Sequence, residues 1–309
     1  MKELTLKQAA EDCRGTLTPE QAEGMITGVQ IDSRRVKPGD LFVAIKGEKS
    51  DGHNFIDMAA SLGAAAALVE RPILVPDTIK AYGDLAAARR ERMGVTVIGI
   101  TGSVGKTTTK EMTACMLERT YRTARTEGNH NNNIGLPMTI LDMPDDTETA
   151  VLELGMNHFG EMARLTSIAK PDIAVITNIG TSHIEFLGSR EGICKAKLEI
   201  LEGLQEGGAA VLCGDEPLLW DKRESLGCKV VTYGIENSAC DLTADLHSDG
   251  TFDIVNNGLA AAHLPVGEKF TAKLSIPGKH NVLNALAAAA VCLLLGETPE
   301  LIAQGLVSY

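Results

Sequence analysis

One segment, GITGSVGKTTTK (99–110), constrains this chain more than any other. It follows VTVIGI (95–100), a continuous apolar run rich in β-branched residues, which predicts a strand buried on both faces. It leads into KTTTKEMTACMLERT, whose pattern predicts a helix. A strand, a glycine turn and a helix N-terminus in that order make a phosphate cradle. Gly102 and Gly105 allow a tight turn that brings N–H groups close to oxygen, and the helix start adds partial positive charge. The strict G-x-x-x-x-G-K-[ST] pattern is not met, because Ile100 stands where the first glycine belongs. The variant is T-G-x-x-G-K-T-T over Thr101–Thr108. Thr101, Gly102, Ser103, Gly105, Lys106, Thr107 and Thr108 are the expected nucleotide contacts. Lys106 would reach the β- and γ-phosphates, and the Thr107 hydroxyl is suited to Mg²⁺.

Composition narrows the setting. The 309 residues are 44% apolar and 23% charged, an ordinary globular profile, and the length is a prior for two domains. A net charge of −12 argues against a general nucleic-acid binder, which needs a basic face, but leaves room for a local nest of amides holding phosphate. The seven cysteines are odd in number, irregularly spaced and without a C-x-x-C pair, which fits reduced thiols better than disulfides or zinc. The start, MKELTLKQAAEDC, is charged and has no apolar signal core. The longest apolar run, Ala285–Leu295, is about half the roughly 20 residues a membrane helix needs and predicts a buried helix. A cytoplasmic protein without membrane insertion is expected.

Two regions follow from the patterns. Residues 1–82 predict a small α/β unit: a turn-rich DSRRVKPGD (32–40), a strand at LFVAI (41–45), a loop at KGEKSDGH, then a helix running into a strand over NFIDMAASLGAAAALVE. Residues 83–309 begin with a helix, DLAAARRERM (84–93), and the phosphate-loop strand. Further strands are predicted at AVLEL (150–154), IAVITN (173–178), AAVLC (209–213) and KVVTYG (229–234). Helical patterns at 160–169 and 191–204 lie between them, so this region predicts a doubly wound, mostly parallel α/β sheet. Residues 240–275 predict antiparallel strands with SDG and NNG turns, and 280–295 a last long helix.

Several segments beyond the phosphate loop, taken in order, resemble the Mur ligase family. DSRRVKPGDLFVAIKG with SDGHNFI resembles the family's first domain, which holds a uridine nucleotide. TEGNHNNNIGLP (126–137) is similar to the substrate loop of the MurF-type members. LELGMNHFGEM (152–162) and TNIGTSHIEFLGS (177–189) resemble the metal-binding segments, KAKLEI (195–200) the segment with a carbamylated lysine, and GKHNVLNALAA (278–288) the adenine-side helix. The asparagine run and the TNIG wording favour the MurF type over the MurE type.

The resemblance implies roles residue by residue. Glu153, at a strand's C-terminal end where ligand crevices form, would hold Mg²⁺, although a glutamate there is also an ordinary loop residue. His183 would ligate a second Mg²⁺, as a neutral imidazole can. Lys197, as a carbamate, would supply the oxygen ligand a hard cation prefers; Lys106, Lys197 and His183 form the expected catalytic set. Asn281 and Asn284, one helical turn apart, would read adenine, or simply pack. Ser33 and Arg34 would meet the uridine diphosphate, while Asp32 and Ser33 are also good turn formers. Thr126, Asn129, Asn131 and Asn132 would touch the muropeptide, in a loop whose asparagines also suit turns.

The implied reaction is ATP- and Mg²⁺-dependent amide formation between UDP-N-acetylmuramoyl-tripeptide and D-alanyl-D-alanine, through an acyl phosphate, by a monomer. The family carries a C-terminal domain beyond GLVSY, so the sequence as given is expected to fold and bind ligands without ligating efficiently. Three other readings stay open here: a MurE-type ligase adding the third amino acid, a non-catalytic nucleotide-binding module and a phosphate-loop kinase.

Overall fold

The computed structural model describes residues 4–17, 22, 24–47, 50–68 and 75–309. Parts of the loop expected over KGEKSDGH and of the strand expected to run to Glu70 lie outside the described residues, at 48–49 and 69–70. The chain forms two compact units, residues 1–94 with 133–146, and 95–132 with 147–309.

The first unit opens with β1 (Leu4–Thr5) and α1 (Leu6–Asp12), which Thr5 and Gln8 start with a reciprocal capping box. β2 (Met25–Ile26) pairs antiparallel with β1. A three-stranded parallel sheet follows, β3 (Gly28–Gln30), β4 (Asp40–Val43) and β5 (Ala66–Leu68), with β4 central and α2 (Ile56–Ser61) between β4 and β5. Phe42 and Ala67 of the sheet pack with Ala59 of α2, Val36 and Ala44 in a small core.

The helix expected at 84–93 begins earlier, as α3 (Thr78–Met93), capped by the Asp77 carboxylate and ended by Gly94 at a left-handed φ of 63°. Its buried face, Ala81, Tyr82, Leu85 and Ala86, runs through the boundary expected at 82/83, so the whole helix stays with the first unit.

The second unit is built on β6 (Thr96–Thr101) and α4 (Lys106–Leu117), then β7 (Thr123–Arg125). The chain returns to the first unit for α5 (Gly135–Asp142), which packs on α3. There the buried Arg89 donates to the carbonyls of Ile140 (3.3 Å) and Met143 and to Asp145 (2.9 Å). Back in the second unit come β8 (Thr149–Glu153), α6 (Glu161–Ala169), β9 (Ile173–Ile176), α7 (Ile184–Leu187) and α8 (Arg190–Leu198). They are followed by β10 (Ala209–Cys213), α9 (Pro217–Lys222) and β11 (Lys229–Gly234). Strands β12 (Leu242–Leu246), β13 (Thr251–Asn256) and β14 (Lys269–Lys273) lead to α10 (Lys279–Leu294) and α11 (Pro299–Ser308).

The nine-stranded sheet runs β14-β13-β12-β11-β10-β9-β6-β8-β7, parallel from β7 to β12 and antiparallel for the last two pairings. The expected doubly wound sheet with an antiparallel extension is thus present. The step from β6 to β7 runs one way along the sheet, and the step from β8 to β9 runs the other. Right-handed crossovers therefore put α4 and α6 on opposite faces. α4 packs with α10 and α11, while α6 packs with the turn of helix at Glu199–Gly203. The reversal around β6 is a topological switch point, which opens a crevice at the C-terminal strand ends. α11 lies beyond what was expected to be the last helix; its signal is Thr298 as N-cap followed by Pro299.

Candidate functional site

The loops after β6, β8 and β9 meet in that crevice. Gly102 and Gly105 hold φ of +150° and +83°, backbone that a side chain would strain. A Cβ at Gly102 would run into the Thr177 hydroxyl, and one at Gly105 into the Asn284 amide oxygen. α4 starts at Gly105 without a side-chain cap, so among the described residues no N-cap side chain takes its first-turn N–H groups. Lys106 lies over the loop, its Nζ donating to the Gly102 carbonyl at 2.9 Å. Burial lowers its pKa, partly opposed by the charge of Glu153. The hydroxyl of Thr101 is buried and has no hydrogen-bond partner among the described residues. Two glycines at positive φ, uncapped amides, a cation and an unpartnered hydroxyl fit a polyphosphate.

Glu153 is the hub of the crevice and only 3% exposed. Its carboxylate accepts from the Thr107 hydroxyl at 2.8 Å and from the Asn131 side-chain amide at 2.9 Å. Its own N–H donates to the Thr126 hydroxyl at 2.9 Å, and the Thr126 carbonyl accepts from the buried Lys110 ammonium at 2.6 Å. Three residues expected from sequence, Thr107, Thr126 and Asn131, thus meet on a fourth. The buried carboxylate and hydroxyl are hard oxygen donors of the kind Mg²⁺ takes.

Lys197 is 3% exposed on α8, and its side chain has no hydrogen-bond partner among the described residues. Burial, reinforced by the positive charge of Lys106, pushes its pKa down to about 7. His183 takes a left-handed φ of 65° just before α7 and makes no hydrogen bond to Glu153. No group of three His, Cys, Asp or Glu side chains among the described residues could hold a metal ion. A second metal set of Glu153, His183 and Lys197 therefore depends on Lys197 gaining acidic oxygens.

Asn281 donates to the Pro277 carbonyl at 3.1 Å, which leaves its own oxygen as an acceptor. Asn284 accepts from Thr109 at 3.3 Å and backs Gly105, so it also fixes α10 against the phosphate loop. Asn129 and Asn132 are exposed on their loop. In the first unit, Ser33 is buried with its hydroxyl on the Met58 sulfur at 3.6 Å. The exposed Arg34 folds its fork onto Asp32 at 2.9 and 2.7 Å, and this pairing holds the Asp32 carboxyl down at about 2.

The model of the Mur ligase middle domain matches residues 100–292, and that of the Mur ligase family catalytic domain matches residues 25–109. The chain belongs to the Mur ligase family. It is 44% identical over 318 residues to the UDP-N-acetylmuramoyl-tripeptide--D-alanyl-D-alanine ligase of Bacillus subtilis strain 168, covering 99% of this chain and 67% of that one. A crystal structure of MurF from Acinetobacter baumannii matches with a TM-score of 0.88 and 35% identity over 99% of this chain and 68% of that one. MurF ligase from Thermotoga maritima in complex with ADP matches with a TM-score of 0.80 and 33% identity over 91% and 66%. The chain thus spans about two thirds of the length of these Mur ligases.

Two residues of this crevice escaped the sequence reading. Lys110 lies one turn after Lys106 on α4, and its buried ammonium fixes the Thr126 loop; the i, i+4 lysine spacing was its signal. Asn178 accepts from the phosphate loop itself, through Ser103 N (3.0 Å) and Val104 N (2.9 Å). It was read only as the last residue of the strand expected at IAVITN (173–178), within the TNIG segment.

Proposed function

We propose that the protein joins D-alanyl-D-alanine to UDP-N-acetylmuramoyl-tripeptide, driven by cleavage of ATP to ADP and phosphate. The observation that carries this reading is the Thr107–Glu153 pair beside the phosphate loop, in a chain so similar to an enzyme named for that reaction. A terminal carboxylate oxygen of the tripeptide attacks the γ-phosphorus, and ADP leaves. The amine of D-alanyl-D-alanine then attacks the acyl carbon and gives up a proton. Phosphate departs carrying the former carboxylate oxygen.

The first step brings two anions together, so fixed positive charge at their meeting point is what the site must provide. Lys106 and the uncapped amides of α4 face the phosphates. Thr107 and Glu153 would hold one Mg²⁺, and Glu153, His183 and a carbamylated Lys197 another, neutralising charge between carboxylate and γ-phosphate. With its pKa lowered to about 7 by burial, Lys197 has an appreciable share of free amine at neutral pH, which can add to the carbon of CO₂ and lose a proton to become a carbamate. Asn281 and Asn284 serve the adenine side.

Ser33 and Arg34 of the first unit take the uridine diphosphate, with Arg34 exchanging Asp32 for a phosphate. Thr126, Asn129, Asn131 and Asn132 face the muropeptide. The enzyme works as a cytoplasmic monomer, a setting that suits seven free thiols. No helix of the described residues is long and apolar enough to cross a membrane.

A substrate panel on the complete gene product tests this reading. UDP-N-acetylmuramoyl-tripeptide with D-alanyl-D-alanine should give ADP and pentapeptide product. Addition of L-lysine or diaminopimelate to the dipeptide precursor instead would replace it with the MurE-type activity.

A further inference from the structure

We infer that Asn178 is a positioning residue of the phosphate loop, its side-chain oxygen occupying the Ser103 and Val104 amides so that nucleotide phosphate is gripped by the amides from Gly105 onward. This rests on the nucleotide-binding reading above.

The loop's polar groups are shared out unevenly. Ser103 N donates to the Asn178 side-chain oxygen at 3.0 Å and to its backbone carbonyl at 3.2 Å, and Val104 N donates to the same side-chain oxygen at 2.9 Å. The Val104 carbonyl accepts from the Thr177 hydroxyl at 2.6 Å, and the Ser103 hydroxyl accepts from Gly180 N at 2.9 Å. The tip of the loop is therefore committed to residues 177–180. The uncapped start of α4 is not, and Lys106 leans across it. Successive backbone N–H groups form a nest that takes an acceptor. Here the first two amides already hold a neutral one.

The segment that carries Asn178 is itself held on both sides. Thr177 N donates to the Thr101 carbonyl at 2.9 Å, and the Tyr233 hydroxyl donates to the Thr177 carbonyl at 3.3 Å. Beyond Asn178, the Ile179 carbonyl accepts from Arg190 at 3.2 and 2.8 Å, and Arg190 pairs with Glu216 at 2.8 Å. The Ile179 N–H points at 3.4 Å to Glu216 Oε2, which also accepts from Arg190. Asparagine suits this post because its amide oxygen accepts two N–H bonds without a charge. A carboxylate could accept the same bonds but would repel the phosphates that the loop serves.

Hydrogen exchange of the loop amides, with and without ADP, combined with ADP affinity, tests the inference. In the unaltered protein, Ser103 and Val104 amides should be protected before ADP is added. Asn178→Ala should lose that protection and bind ADP about tenfold more weakly, the loss expected from two hydrogen bonds of ordinary net strength. Asn178→Asp should keep the protection yet still bind ADP weakly, a split that general loss of structure would not produce. Protection that appears only when ADP is added would overturn the inference, as would unchanged exchange and affinity in Asn178→Ala. If the amides are protected through Asn178 but the unaltered protein binds no ADP, the positioning role stands and the nucleotide reading falls.

Discussion

The hydroxyl of Thr107, in the first turn of α4, donates to the carboxylate of Glu153, at the end of β8, across 2.8 Å. The two residues lie far apart in sequence and meet because β6 and β8 are adjacent parallel strands in register, with Ile100 opposite Glu153. Each reaches the crevice from its own strand end: the chain turns from β6 through the phosphate loop into α4, and β8 simply stops. That register converts a loop threonine and a strand glutamate into one oxygen-donor pair.

Removing the charge while keeping the shape tests that pair. Glu153→Gln retains an oxygen for the Thr107 hydroxyl, so the fold should hold. The turnover number of the complete gene product should fall by about 10²–10³-fold, the usual size for losing one electrostatic group aimed at the reacting centre. Thr107→Ala should shift the Mg²⁺ concentration needed for half-maximal rate upward. Steady-state kinetics under Mg²⁺ titration measure both, and a Glu153→Gln enzyme within threefold of normal would remove Glu153 from the metal site.

The lowered pKa of Lys197 sets a pH dependence. Only the neutral amine adds to CO₂, so carbamate should form readily above about pH 7 and be lost as pH falls below it. The sign for stability is the same. Between about 7 and the ordinary lysine range, the unfolded chain binds a proton that the folded chain does not, so the unmodified protein gains stability as pH rises through that window. A carbon-13 carbamate signal from labelled CO₂, present at pH 8, absent at pH 6 and absent in Lys197→Ala, is the expected result. A signal that survives in Lys197→Ala would place the chemistry elsewhere.

The phosphate loop was legible because each of its requirements is local: an apolar strand, two glycines and a helix start lie within a dozen or so consecutive residues. The parallel sheet was legible from strand and helix periods. What was not legible depends on contacts between distant segments. Nothing in TILDMP (139–144) announces that its carbonyls will be met by Arg89, so the return of residues 133–146 to the first unit could not be read. The asparagine run marked a turn and a ligand loop equally, and only the register of β8 singles out Asn131 as the one on Glu153. Asn178 was hidden for the same reason, since its partners lie in the loop after the neighbouring strand.

Gly105 offers a test of the cradle's shape. Gly105→Ala forces a methyl group toward the Asn284 oxygen at a left-handed φ of +83°. The backbone alone should cost about 1–2 kcal/mol. Chemical denaturation should show a loss of at least that size, together with loss of measurable ADP binding by calorimetry. Normal ADP affinity in this variant would mean that the loop is not the phosphate site.

Arg89 offers a test of the first unit. Arg89→Met would remove the Arg89 donor from the Ile140 and Met143 carbonyls inside a packed helix pair. A loss of about 2–3 kcal/mol is expected, the range for stranding buried acceptors. Proteolysis should then cut first within 133–146, while ADP binding by the second unit persists. Loss of ADP binding at full stability would contradict the division of labour between the units.

The most direct test of the account follows one oxygen atom. UDP-N-acetylmuramoyl-tripeptide labelled with oxygen-18 in its terminal carboxylate is incubated with ATP, D-alanyl-D-alanine and the complete gene product, and the released phosphate is analysed by mass spectrometry. Attack of the carboxylate on the γ-phosphate predicts one labelled oxygen in each phosphate released. Unlabelled phosphate, formed alongside pentapeptide product, would contradict the acyl-phosphate route.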